Sequence, residues 1–192
     1  CYGLTKGQDS ATADVGSKSK SGSINQFEGI DLCGLAIELG ATFVAQSFSG
    51  DKSQLIPIIQ AAISHPGFAL INVLSPCVTF NNNVGSTKSY DYVRQHIEAT
   101  STVDFVPFMN EIKTDYQNDE VKMVEMHDGS WLRLHKLSQS WNPDDKLSAI
   151  NALQNSHLNQ EILTGILYID NKSLETHALL GTTEIPLNKL DE

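Results

Sequence analysis

Four segments between residues 31 and 75 alternate in character, and that alternation constrains the fold more than any other feature of the chain. The stretch "DLCGLAIELG" predicts a helix with Asp31 at its N-cap and Gly40 at its stop, and with Leu32, Leu35, Ala36 and Leu39 on one face. "ATFVAQS" is a short apolar run containing Thr, Phe and Val, the pattern of a buried strand. "DKSQLIPIIQAAISH" predicts a second helix, with Pro57 tolerated if the helix starts close to it. "GFALINVLS" predicts a second strand, bounded by Gly67 and Pro76. Strands separated by helices pair in parallel, because a helix provides the crossover that a tight turn cannot. The expected class is α/β: a mostly parallel sheet with flanking helices.

The flanking regions differ. Residues 1–29 are rich in Gly, Ser, Thr and Lys and carry no hydrophobic period, the composition of a loop. After Cys77 comes a polar loop, "VTFNNNVGSTK", and then a predicted helix, "SYDYVRQHIEAT". "VKMVEMHDGSWLRLHKL" is two alternating runs around Asp128-Gly129, which predicts a β-hairpin. "NPDDKLSAINALQNSHLNQ" predicts a helix started by Asn142 or Asp144, with Leu147, Ile150 and Leu153 inward. "ILTGILYIDN" predicts a last strand, and the tail "THALLGTTEIPLNKLDE" shows little regular pattern. There is no internal repeat.

Composition narrows the function classes. The chain has 192 residues, 40% apolar and 19% charged, enough for one domain with its own core. A net charge of −10 argues against nucleic-acid binding, which depends on clustered Lys and Arg. No apolar run is long enough to span a bilayer as a helix, so no membrane partner is expected. Three widely spaced cysteines do not make a disulfide framework, which favours a reducing, cytoplasmic setting.

Two segments stand where ligands bind in open α/β sheets, just past the carboxyl ends of strands. One is "CYGLTKGQ", if a strand precedes it. Gly3 and Gly7 allow close backbone approach, Thr5 and Gln8 offer polar side chains, and Lys6 adds positive charge. Backbone N–H groups in such a loop can cradle a diphosphate, although composition alone fits a mobile terminus as well. The other is "SPCVTFNN". Cys77 is a small buried hydrophobe, a cluster ligand or a nucleophile. As a nucleophile it lacks a base, since His65 lies at the other end of the same strand. As a ligand it lacks companions, since a 4Fe-4S cluster takes four thiolates and Cys33 lies inside a helix. The six histidines have no metal spacing; His127 and His135 read as solvated groups on the hairpin, and Trp131 and Trp141 as packing.

Several of these segments together resemble the thiamine-dependent beta subunit of 2-oxoacid:ferredoxin oxidoreductases, of the 2-oxoglutarate type. They are "YGLTKGQ" at 2–8, "LAIELGATFVA" at 35–45, "GFALINVLSPCVTFNN" at 67–82, "GSTKSY" at 85–90, "MHDGS" at 126–130, "GILYID" at 165–170 and "PLNKL" at 186–190. The resemblance implies a C-terminal part of that subunit, interrupted within its cofactor site. Residues 1–100 are then the C-terminal part of a thiamine-diphosphate-binding domain. Residues 101–192 are a C-terminal extension with hairpin, helix and strand packed on the same domain.

By the same resemblance, the Cys1 carbonyl binds the diphosphate-bound magnesium. Gly3, Leu4 and Thr5 line the diphosphate, Lys6 faces the substrate carboxylate, and Cys77 is the last ligand of a 4Fe-4S cluster. The implied reaction is oxidative decarboxylation of a 2-oxoacid, with ferredoxin receiving electrons and coenzyme A the acyl group. An alpha subunit is the implied partner. The chain departs from the family at Gln46, where Arg is common, at Asn72, where Asp is common, and at Ser10-Ala11-Thr12, where Pro often follows Ser. Pyruvate as the substrate, a non-catalytic interaction module and a hydrolase using Cys77 are the competing readings.

Overall fold

The computed structural model describes residues 11–12, 15–16, 22–75, 112–125, 131–183, 185 and 189. Helix α1 spans Leu32–Glu38, and strand β1 follows at Phe43–Phe48. Helix α2 spans Lys52–Ser64 and strand β2 spans Ala69–Leu74. Strands β3 (Val121–Glu125) and β4 (Trp131–Lys136) precede helix α3 (Lys146–Leu158), strand β5 (Ile162–Ile169) and helix α4 (Thr176–Leu180). The predicted helix over "SYDYVRQHIEAT", the hairpin turn at residues 126–130 and most of "PLNKL" lie outside the described residues.

The five strands form one sheet in the order β2-β1-β5-β4-β3. The α/β class with flanking helices is met. The pairings, however, divide evenly. β1 and β2 are parallel, as are β4 and β5, while β1 with β5 and β3 with β4 are antiparallel. The sheet is therefore mixed where mostly parallel pairing was expected. The hairpin forces one antiparallel pair, and β5 enters beside β1 against its direction. β5 carries a register shift opposite Val44 and Ala45, close to Gly165 at φ +124, a conformation glycine adopts without strain.

The helices start and stop where local chemistry directs. Asp31 caps α1 by accepting from the Cys33 N–H, and Gly40, at φ +91, ends it. Asp51 caps α2 by accepting from the Gln54 N–H. Pro57 lies in the second turn rather than at the start, so the Ser53 carbonyl has no N–H one turn on. The cap, not the proline, sets where α2 begins. Helix α3 is capped by Asp145 instead of Asn142 or Asp144, since the Asp145 carboxylate reaches the Leu147 N–H. The tail read as patternless contains α4, which ends at Gly181 in the left-handed conformation.

Alternate residues of β1 point to opposite layers. Val44 packs with Cys33, Ala36 and Ile37 of α1, Ala149 and Leu153 of α3, and Leu163 and Leu167 of β5. Phe43 and Ala45 pack with Ile58 of α2. A third cluster joins Phe48, Tyr116, Val124 and Leu134 near the hairpin. The helical faces differ from the expected ones. Cys33, Ala36 and Ile37 are buried on α1, whereas Leu32, Leu35 and Leu39 are exposed. On α3 Ala149, Leu153 and Ser156 face inward and Leu147 is exposed. Small residues let each helix lie close on the sheet, and that contact overrides the count of leucines. Among the described residues no helix is long and apolar enough to cross a membrane.

Leu167→Ala is expected to lower unfolding free energy by about 2–5 kcal/mol through the cavity it leaves. Leu158→Ala, on an exposed side chain, is expected to be nearly neutral. Urea denaturation of the two variants checks the contrast.

Candidate functional site

The parallel strands β1 and β2 end side by side, with the Ser49 N–H bonded to the Leu74 carbonyl at 2.9 Å. This is the sheet edge at which an α/β fold places its ligands. Cys77 follows β2 by three residues in sequence but lies outside the described residues, as do Cys1, Gly3, Leu4, Thr5 and Lys6. The described residues form the frame at this edge rather than the predicted ligands themselves.

That frame contains a directed polar chain on the α2 side of the sheet. Ser47 donates to Gln54 Oε1 at 3.0 Å, and Gln54 Nε2 donates to Thr164 Oγ1 at 3.3 Å. Thr164 donates its single proton to the His135 carbonyl at 3.3 Å. The Tyr116 hydroxyl, 2.8 Å from Thr164 Oγ1, is then the donor of that pair. Burial raises the Tyr116 pKa; the hydrogen bond with Thr164 opposes the shift and the Asp51 charge adds to it.

Asp51 anchors the frame. It is fully buried, and its Oδ1 accepts from the Gln54 N–H at 3.1 Å and the Ser53 hydroxyl at 2.7 Å. Its Oδ2 has no hydrogen bond and faces the Lys136 ammonium at 3.7 Å. Lys136 also donates to the Tyr116 carbonyl at 3.4 Å and sits 5.1 Å from the centre of its ring. Gly50 keeps this turn tight, because a β-carbon there would run into the Ile112 carbonyl.

A second bracket lies between β2, β1 and β5. Gln46 Oε1 accepts from Asn72 Nδ2 at 2.7 Å, and Gln46 Nε2 donates to the Leu163 carbonyl at 2.8 Å. Cys33 Sγ lies 3.7 Å from the same Gln46 oxygen. Burial, with the Asp31 charge adding to it and the Asn72 amide opposing it, pushes the Cys33 thiol up to about 12. Protonated and inaccessible, Cys33 is unfit as a cluster ligand.

Other candidates separate as follows. A cleft of about 260 Å³ opens beside Gln54, Lys136, Trp141 and Thr164. Its Lys136 is held by Asp51, Gln54 and Thr164 belong to the chain above, and Asn118 and Ser138 complete its polar lining. His65 lies 2.9 Å from Thr42 Oγ1 and 3.1 Å from Ser173 Oγ, at the amino end of β2. Ser173 donates instead to the Pro66 carbonyl at 2.5 Å, so the Ser–His pair is structural. His135, expected in solvent, is half-buried 3.4 Å from Glu161. Trp141 packs against the α1 and α3 layer, as expected. Among the described residues no group of three or more His, Cys, Asp or Glu could hold a metal ion.

Comparison with known proteins supplies what this geometry does not. Residues 1–73 match the family model for the C-terminal, thiamine pyrophosphate-binding domain of thiamine pyrophosphate enzymes. The 2-oxoacid:ferredoxin oxidoreductase subunit beta of Saccharolobus solfataricus is 45% identical over 91 residues, covering 47% of this chain and 30% of that protein. Subunit beta of 2-oxoacid:ferredoxin oxidoreductase 1 from Aeropyrum pernix is 48% identical over 82 residues, covering 42% and 26%. The chain is a relative of these beta subunits. The matched stretches span less than half of this chain and less than a third of either relative. A solved 2-oxoglutarate:ferredoxin oxidoreductase from Magnetococcus marinus shares the fold at a TM-score of 0.59 and 20% identity, over 97% of this chain and 52% of that one.

Against the beta-subunit resemblance, Gln46 and Asn72 gain a second meaning. These two departures from the family are cross-strand partners, so a neutral amide pair occupies a single contact here. The Asp51–Lys136 pair went unread in the sequence. An Asp followed three residues later by Gln at the start of an apolar helix, a relative of the capping box, marks the Asp51 cap but not its Lys136 partner.

Two outcomes are expected. Asp51→Ala removes the α2 cap and leaves Lys136 without its counter-charge, lowering stability by about 3 kcal/mol, the low end for a buried pair since Lys136 is partly exposed. The Cys33 thiol, raised from 9.0 to about 12, favours the folded state below pH 9, and this contribution fades as pH climbs towards 12. Cys33→Ala should flatten that alkaline loss in urea melts taken from pH 8 upward.

Proposed function

We propose that this chain is part of the beta subunit of a coenzyme A-dependent 2-oxoacid:ferredoxin oxidoreductase acting on 2-oxoglutarate. The match of residues 1–73 to the thiamine pyrophosphate-binding domain carries the reading, together with the identity to archaeal beta subunits. The choice of 2-oxoglutarate over pyruvate is supported by relatives. The 2-oxoglutarate oxidoreductase subunit KorB of Mycobacterium tuberculosis is 36% identical over 95 residues. The Magnetococcus marinus enzyme is described with 2-oxoglutarate, coenzyme A and succinyl-CoA bound.

The residue roles follow the resemblance. Gly3, Leu4 and Thr5 hold the diphosphate through the main chain, where glycine permits close approach. The Cys1 carbonyl oxygen is a hard ligand suited to magnesium. Lys6 holds the substrate carboxylate as a point charge. Cys77 offers its thiolate to a 4Fe-4S cluster, whose other ligands come from outside these residues. Thiamine diphosphate, when bound, stores the electron pair released on loss of carbon dioxide, and the cluster passes electrons singly to ferredoxin. The Gln46–Asn72 hydrogen bond ties β2 to β1 a few residues ahead of Cys77 in sequence. Residues 1–100 serve as the thiamine-binding part and 101–192 as an extension, and the pairing of β5 with β1 supports the packing of the second on the first. The alpha subunit and ferredoxin are the partners.

The test is reduction of ferredoxin by the intact subunit with its alpha partner, given 2-oxoglutarate or pyruvate in parallel. Faster turnover of 2-oxoglutarate is expected; no thiamine-dependent reduction with either acid refutes the reading. In the same protein Cys77→Ala should lower iron content and visible absorption while sparing the fold. Lys6→Ala should raise the Michaelis constant about tenfold or more, as for loss of a charge-assisted hydrogen bond. The 192 residues alone should bind thiamine diphosphate more weakly than micromolar by calorimetry.

A further inference from the structure

Helix α2 turns an unusual surface outward. Of its 13 residues only Ile58 is buried, and nine are exposed. A helix facing water normally carries charged residues along its outer side. Among the nine exposed positions only Lys52 is charged. Ile56, Ile59 and Ile63, spaced three and four apart, lie on one face and are 53%, 39% and 80% exposed. Pro57 stands beside them, also exposed.

The size of this stripe limits its occupant. A helix of 13 residues is about 20 Å long, and an apolar face about 10 Å wide gives about 200 Å². A stable contact between separate proteins needs about 800 Å² per partner. The stripe alone falls well short of holding a second copy. A tethered segment escapes most of the entropic cost of association, so a contact this small suffices within one polypeptide. The relatives have such polypeptide to supply: the Magnetococcus marinus chain is matched over only 52% of its length.

We propose that the Ile56–Ile59–Ile63 face of α2 is covered, in the intact beta subunit, by an apolar helix face from the portion of that same subunit not represented in these residues. The inference rests on the reading of the chain as part of a longer beta subunit. The covering segment presents aliphatic side chains and no charge opposite the isoleucines, because a charge buried there would find no partner.

Maleimide labelling of cysteine variants of the intact subunit, read residue by residue by mass spectrometry, tests it. Ile63→Cys and, separately, Ile56→Cys are compared with Lys172→Cys in the exposed turn after β5. Both α2 reporters should label about tenfold more slowly or less than Lys172→Cys, the protection expected of a site that must open to react. Equal rates overturn the proposal. Protection that grows with subunit concentration, or that appears only on adding the alpha subunit, also overturns it by naming another occupant. A gene encoding nothing beyond these residues overturns it too. Bound thiamine diphosphate, measured in the same preparation, reports on the functional reading separately: slow labelling without cofactor retains this contact and discards that activity.

Discussion

Strand β1 is enclosed on four sides, and the rest of the structure is arranged around it. Phe43, Val44, Ala45 and Phe48 are fully buried, with β2 and β5 along its edges and α1 and α2 over its faces. A strand buried on both faces needs apolar residues in succession rather than in alternation, and "FVA" supplies them. Removing this burial would take from α1 and α2 the central strand against which both of them pack.

Two polar side chains interrupt β1, and both are satisfied by partners on other elements. Gln46 binds Asn72 on one side and the Leu163 carbonyl on the other, tying three strands together. Ser47 begins the chain through Gln54 and Thr164 to His135 and Tyr116. A buried polar group without a partner is costly, so each such contact also excludes other strand registers. These brackets hold the carboxyl edge of β1 and β2, the edge at which the proposed chemistry takes place.

The order of elements from α1 to β2 was legible because each boundary carries its own signal. Asp31 and Gly40 bound the first helix, and Gly67 precedes the second strand. The hairpin strands were legible from their alternation, and their pairing from Val121–His135 to Glu125–Trp131 follows it. Helical faces were not legible. Leu32, Leu35 and Leu39 on α1 have the spacing of a core face, yet the sheet receives Cys33, Ala36 and Ile37 instead. Periodicity reports that a helix has an apolar side, but α1 has apolar residues nearly all round. The choice among them depends on what each side meets. The ligand residues were named only through family resemblance, since no spacing within the chain identifies Cys77 or Lys6 unaided.

By itself the sequence determined the order of elements from α1 to β2, the Asp31 cap and the α/β class, because the signals for these lie a few positions apart. Tertiary structure alone decided the direction of β5, the mixed sheet, the inward faces of α1 and α3, and the partners of Gln46 and Asp51. Those outcomes join residues from 26 positions apart, as in Gln46 and Asn72, to 126 apart, as in Phe43 and Ile169, and they are selected by close packing and by satisfying buried hydrogen bonds together. Neither requirement can be evaluated until the distant segments lie side by side.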